Sequence, residues 1–138
     1  MQMLKRAWLL KAMIVLWAAY SFFWMMQEGD LWRVLFLGVW TALLGLGYGY
    51  GRATTHFQFE GWMTVFTTAI AGALLGLGSV LMTLLLMAVK TGLHAHGPEF
   101  STAEIAWLMQ QAPLWTLAGL IGGAGLGLLH LAVSRSSI

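Results

Sequence analysis

From Gly61 to Val89 the chain runs without a single charged side chain. At ~1.5 Å rise per residue, a helix that long outreaches the roughly 30 Å hydrocarbon core of a bilayer, so the stretch is expected to span a membrane. Its pattern constrains the fold further. At about 100° per residue, Thr64, Thr68, Gly72, Gly76, Ser79 and Thr83 fall within roughly a third of the helix circumference. Leu74, Leu75, Leu81, Leu84 and Leu85 occupy the other side. Leucine gains nothing by leaving acyl chains for protein, so membrane helices associate where small residues let backbones approach closely. This helix is therefore expected to have one protein-facing and one lipid-facing side.

The 138 residues are 59% hydrophobic and 9% charged, far below the roughly 25% charged residues of a soluble domain. Four spans use most of this length, leaving no room for a soluble domain, so any chemistry must sit in the spans or in short loops. There is no cysteine, which excludes disulfides, thiolate nucleophiles, iron–sulfur clusters and thiolate zinc sites. A formal charge of +2, scattered along the chain, does not point to nucleic acid.

The fold class expected is all-α: a single integral membrane domain over residues 1–138, folded as a four-helix transmembrane bundle with a short interfacial helix before the fourth span. The first span, residues 7–26, follows Lys5 and Arg6 and resembles an export signal in its basic start. Ala18-Ala19-Tyr20-Ser21 is a poor cleavage site and the apolar run continues past it, so the segment reads as an uncleaved span. It has no glycine and is expected to be the least tightly packed helix. Lys11 reads as a snorkelling side chain.

The second span, residues 31–50, carries Gly38, Ala42, Gly45 and Gly49 as a second small-residue stripe, while Gly47 and Gly51 fall off it and invite fraying. The third covers residues 62–89 and ends at Lys90. This lysine lies on the small-residue face, and so close to the helix end it is expected to anchor at the interface. Ser101-Thr102-Ala103-Glu104 is a capping box and starts the interfacial helix, residues 102–111. Pro113 fits the first turn of the fourth span, residues 114–133, where Thr116, Gly119, Gly123 and Gly127 form a third seam.

Basic residues set the orientation. With the N-terminus inside, Lys5, Arg6, Lys11, Arg52 and Arg135 are cytoplasmic and only Arg33 and Lys90 lie outside, so both termini are expected in the cytoplasm. The margin leaves dual insertion open. Ala42-Leu43-Leu44-Gly45-Leu46-Gly47 recurs as residues 73–78, but in so biased a composition this does not establish a duplication.

Candidate chemistry is sparse. His130 sits on the fourth span's small-residue face, where Gly123 and Gly127 would leave room for a flat ring; it is a candidate axial ligand to a haem or chlorophyll-type macrocycle, with His56 a conceivable second ligand. The plainer reading is an interhelical hydrogen bond, and no bound cofactor is the default expectation. His94, His96, Glu99 and Glu104 form an imidazole and carboxylate cluster able to take zinc or copper, or simply a solvated, titratable loop. No carboxylate lies at mid-membrane, where transporters place ion and substrate sites. Thr64, Thr68, Ser79 and Thr83 could line a pore, though such a seam is more often packing. Trp8, Trp24, Trp32, Trp62, Trp107 and Trp115 fall near helix ends, as interfacial indoles do.

Three glycine-rich seams with almost no polar machinery between them favour a chain whose work is to pack. The function expected is a non-catalytic accessory or assembly subunit of a larger membrane complex, with lipid and other membrane subunits as its partners. The alternatives are a homo-oligomeric channel or transporter for a small solute, and a haem- or chlorophyll-binding electron-transfer or light-harvesting subunit.

Overall fold

The computed structural model describes residues 2–27, 30–56, 61–93 and 99–136. Four helices follow one another: α1 (Gln2–Met25), α2 (Leu31–His56), α3 (Trp62–Leu93) and α4 (Thr102–Ser136). Each is long and apolar enough to cross a membrane, which is compatible with an integral multi-pass protein. In hydrocarbon no water is available to a broken backbone, so helices persist past residues that would end them in water. Two departures from the sequence expectation stand out. α2 continues through Gly47, Gly49 and Gly51 to His56 instead of ending near residue 50.

α4 is one helix of 35 residues with Pro113 inside it, where a separate interfacial helix over 102–111 and a span over 114–133 were expected. Pro113 withholds one N–H from the helical ladder, but the helix is held on both sides of it. Leu108 is completely buried, and Ile105, Ala112 and Trp115 pack against the same core. Ile105, Leu108 and Ala112 thus face the bundle, while Met109 in the same stretch stays exposed.

The start of α4 is capped as its sequence implies. Ser101 donates its backbone N–H to Glu104 Oε2 at 2.8 Å, and Ser101 Oγ accepts the N–H of Glu104 at 3.2 Å. Asp30 caps α2 by accepting the N–H of Trp32 at 2.9 Å. Gly61, at φ +59°, turns the chain into α3 in a conformation that favours glycine.

α3 is the centre of the arrangement. It packs most extensively on α4 and next on α2, while α1 leans on α2. Gly72 meets Gly119, Gly76 meets Trp115 and Gly123 meets Thr68, so contacts on α4 descend in number as those on α3 rise, and the pair is antiparallel. A Cβ added to Gly72, Gly119 or Gly123 would come within 2.1 Å of a backbone carbonyl oxygen on the other helix. On α2, Gly38 lies under Thr83 and Ala42 touches the position of Gly78. The hydroxyls of this seam turn back onto their own helices: Thr68 to Thr64 O at 2.8 Å, Ser79 to Leu75 O at 2.7 Å, Thr83 to Ser79 O at 2.7 Å and Thr116 to Ala112 O at 2.7 Å. They add little width, and each of these donors is satisfied.

The core lies at one end of the bundle, where Trp24, Val34, Leu37, Val80, Met87, Phe100 and Leu108 pack together from all four helices and the residues just before α4. Leu74, Leu81 and Leu85 are about half exposed, as expected of lipid-facing positions.

Candidate functional site

Two features stand out once the helices are placed: a buried charge at the core end, and an open groove along the other half of α3. The charge is Lys90. Its side chain is 0% exposed, although the sequence placed it at the interface. The last turn of α3 points it inward, on the face that carries Ser79, Thr83 and Met87. Its ammonium donates to the backbone carbonyl of Trp24 at 3.1 Å and to that of Gln27, and lies 3.2 Å from Glu99 Oε2. It also sits 4.4 Å from the centroid of the Trp24 ring. Glu99, 10% exposed, reaches it from the segment leading into α4.

Each neighbour has a physical reason to be there. The Trp24 carbonyl belongs to the last turn of α1, the end that carries the negative pole of the macrodipole, and the Gln27 carbonyl to the turn just beyond it. A desolvated ammonium needs such acceptors, a carboxylate and an aromatic face together, because removing it from water is costly unless it is paired and hydrogen-bonded. The network extends one step outward. Arg33 pairs with Asp30 at 3.3 Å and donates to Gln27 Oε1. Trp24, expected in an interfacial belt, is instead 1% exposed in the core.

The groove lies between α2 and α4, with α3 as its floor. Leu43, Leu46, Gly47 and Tyr50 form one wall, Gly122 and Leu126 the other, and Thr68, Ala71 and Leu75 the base; its volume is about 630 Å³. A smaller cavity of about 360 Å³ continues along the same three helices past Val39, Ser79, Leu114 and Ala118. A Cβ added at Gly45 or Gly49, expected to pack like Gly38 and Ala42, would meet nothing within 4 Å, though neither residue lines the groove; Gly47, which does line it, is equally open. The small-residue stripe of α2 is therefore divided: its first half serves the contact with α3, and its second half is left open.

The expected ligand residues do not converge. His130 is exposed near the end of α4, and its imidazole makes no hydrogen bond among the described residues. The room beside Gly123 and Gly127 is filled by the α3 backbone, Thr68 and Val65, so no slot for a macrocycle exists there. His56 is the last residue of α2. His94 and His96 lie outside the described residues. Of the carboxylates grouped with them, Glu99 is drawn to Lys90 and Glu104 to Ser101. No cluster of three or more metal-ligating side chains occurs among the described residues. Ser79 and Thr83 are buried, Thr83 against Gly38 of α2 and Ser79 at the edge of the smaller cavity.

Sequence reasoning missed the Lys90 cage. The signal was present, since Lys90 shares a face with Ser79, Thr83 and the glycines, and a carboxylate follows at Glu99. Comparison with protein-family models, with curated proteins and with solved structures finds no match to this chain.

Proposed function

We propose that this chain is a non-catalytic accessory or assembly subunit of a membrane protein complex, and that a transmembrane helix of a partner subunit lies in the groove between α2 and α4. The observation that carries this reading is the open half of α2. Gly47 lines the groove and a Cβ added there would meet nothing within 4 Å, although the same helix comes hard against α3 at Gly38. Small residues in a membrane helix allow a second backbone to come close, and a glycine facing only acyl chains forgoes that contact. The groove is apolar and walled by helices, so it suits a helix with an apolar, small-residue face and offers nothing to a charged solute.

Both termini are cytoplasmic in this reading. The two basic residues assigned to the outer side, Arg33 and Lys90, are each ion-paired, with Asp30 and Glu99. The cytoplasmic side keeps the larger basic count that the positive-inside preference requires.

A photo-crosslinking amino acid at Leu46 or Gly122, activated in native membranes and followed by mass spectrometry, tests the proposal. An adduct with a different membrane polypeptide is expected. Adducts with lipid alone would overturn the reading. An adduct with a second copy would replace it with the homo-oligomeric channel or transporter.

A further inference from the structure

α1 has few means of staying where it is. It contains no glycine, so its backbone cannot approach α2 as α3 approaches α4. Its contacts with α2 include a ring edge, Tyr20 on Phe36 at 5.8 Å, and an interhelical hydrogen bond, Trp17 Nε1–H to Thr41 Oγ1 at 2.9 Å. The Ser21 hydroxyl and the Trp24 indole N–H are buried in this docked position with no hydrogen-bond partner among the described residues. Apolar contact does not compensate, because lipid tails solvate leucine and phenylalanine as well as another helix does. Even so, Trp24 near the end of α1 is among the most deeply buried side chains of the protein.

The Lys90 ammonium supplies the missing attraction. Around it stand two carbonyls from the end of α1, the face of the Trp24 ring and the Glu99 carboxylate, and all four favour a cation. α1 and the turn that closes it provide the carbonyls and the ring, α3 the ammonium, and the segment before α4 the carboxylate. We propose that this cage is a clasp, and that α1 is a separable arm which leaves the α2–α3–α4 layer as a unit when the clasp opens. The α3–α4 seam shares no residue with the clasp and stays closed. Departure of the arm uncovers Thr41 and the apolar face of α2 around Val34 and Leu37, and it frees the Ser21 and Trp24 donors to find partners elsewhere. The clasp sets two states, arm docked and arm free, whatever occupies the groove.

The chain has no cysteine, so paired spin labels can be placed without removing any. One pair, at F22C on α1 and L85C on α3, reports the arm; a second, at M63C on α3 and L129C on α4, reports the seam. All four positions are exposed. Distances are measured by double electron–electron resonance on the full chain in lipid nanodiscs. Lys90→Met keeps the apolar stem and removes the ammonium. It is expected to raise the ratio of free to docked arm on the order of a hundredfold, the effect of breaking a buried ion pair, while the seam distance stays fixed. Glu99→Gln is expected to shift the arm in the same direction by less. Lys90→Ala vacates the cage, and propylammonium added to that variant is expected to restore the docked distance where propanol does not. An unchanged arm distance in Lys90→Met would overturn the proposal, as would both pairs broadening together or propylammonium failing to restore Lys90→Ala.

Discussion

Where α3 meets α4, backbone lies against backbone; where α1 meets α2, rings lie against rings. In the first contact glycines stand opposite glycines or carbonyls, and the seam hydroxyls are bonded to their own helices. In the second, Tyr20 meets Phe36 edge to face while Trp40 meets Phe36 in the same way along α2 itself, and the Ser21 and Trp24 polar atoms are buried without hydrogen-bond partners among the described residues. Lipid removes the hydrophobic advantage of association from both, so the difference lies in dispersion and in polar satisfaction. Glycine gives many close atom pairs at no rotamer cost, whereas aromatic rings keep the helices apart and must be oriented. The contrast identifies one contact that holds by shape and another that requires an added charge.

The strongest way to break this contrast is to spoil the shape. Gly72→Leu combined with Gly123→Leu drives side chains into carbonyls of the facing helix that already fill the space a methyl would need, and is expected to cost more than about 5 kcal/mol, at the exceptional end for substitutions. Denaturation in mixed detergent micelles should show the α3–α4 pair lost along with the rest. If the variant unfolds like the parent, the seam is not the principal contact.

The next largest effect should fall on the other side of the contrast. Lys90→Met is expected to cost about 3 kcal/mol through the stranded Glu99 carboxylate, with protease or hydrogen-exchange exposure confined to α1 and the α1–α2 turn. Exposure spreading evenly over all four helices would erase the distinction between the two contacts. Gly45→Ala and Gly49→Ala sharpen it from the open side. A methyl there meets nothing, so each should leave the isolated protein unchanged or more stable by at most about 1 kcal/mol, as helix propensity favours alanine. Gly47→Leu, which puts a side chain into the groove itself, should instead displace a partner seated there, read as weakened co-purification. The smallest effect expected is from Trp17→Phe, which removes the hydrogen bond to Thr41 and should cost about 0.6 kcal/mol, typical of an interhelical hydrogen bond in a membrane. A much larger loss would show that α1 has a firmer hold on α2 than its geometry gives.

The seam residues of α3 and α4 were legible because a period near four brings Thr68, Gly72 and Gly76, and likewise Gly119, Gly123 and Gly127, onto single faces. The same rule failed for Gly45 and Gly49, since periodicity reports which residues share a face and not whether a neighbour reaches it. It failed for Pro113 too. A proline reads as a helix boundary where water can take the freed carbonyl, but helix packing around Leu108 and Trp115 carries α4 through it. Lys90 was misplaced for a related reason. Distance from a helix end predicts snorkelling when the end is surrounded by lipid, and here it is surrounded by α1 and by Glu99.

By itself the sequence determined that the chain carries four stretches long and apolar enough to cross a membrane, and which small residues of α3 and α4 share a face. Those follow from apolar run length and from a 3.6-residue repeat, both of which are local properties of the chain. Only the tertiary structure decided which face meets which, which glycines are used and which left open, and what becomes of the buried Lys90 ammonium. Lys90 and its acceptor at Trp24 are 66 residues apart, and no local pattern joins them. Their meeting depends on three helix ends arriving at the same place, where a charge denied water must take the carbonyls, ring and carboxylate that packing brings within reach.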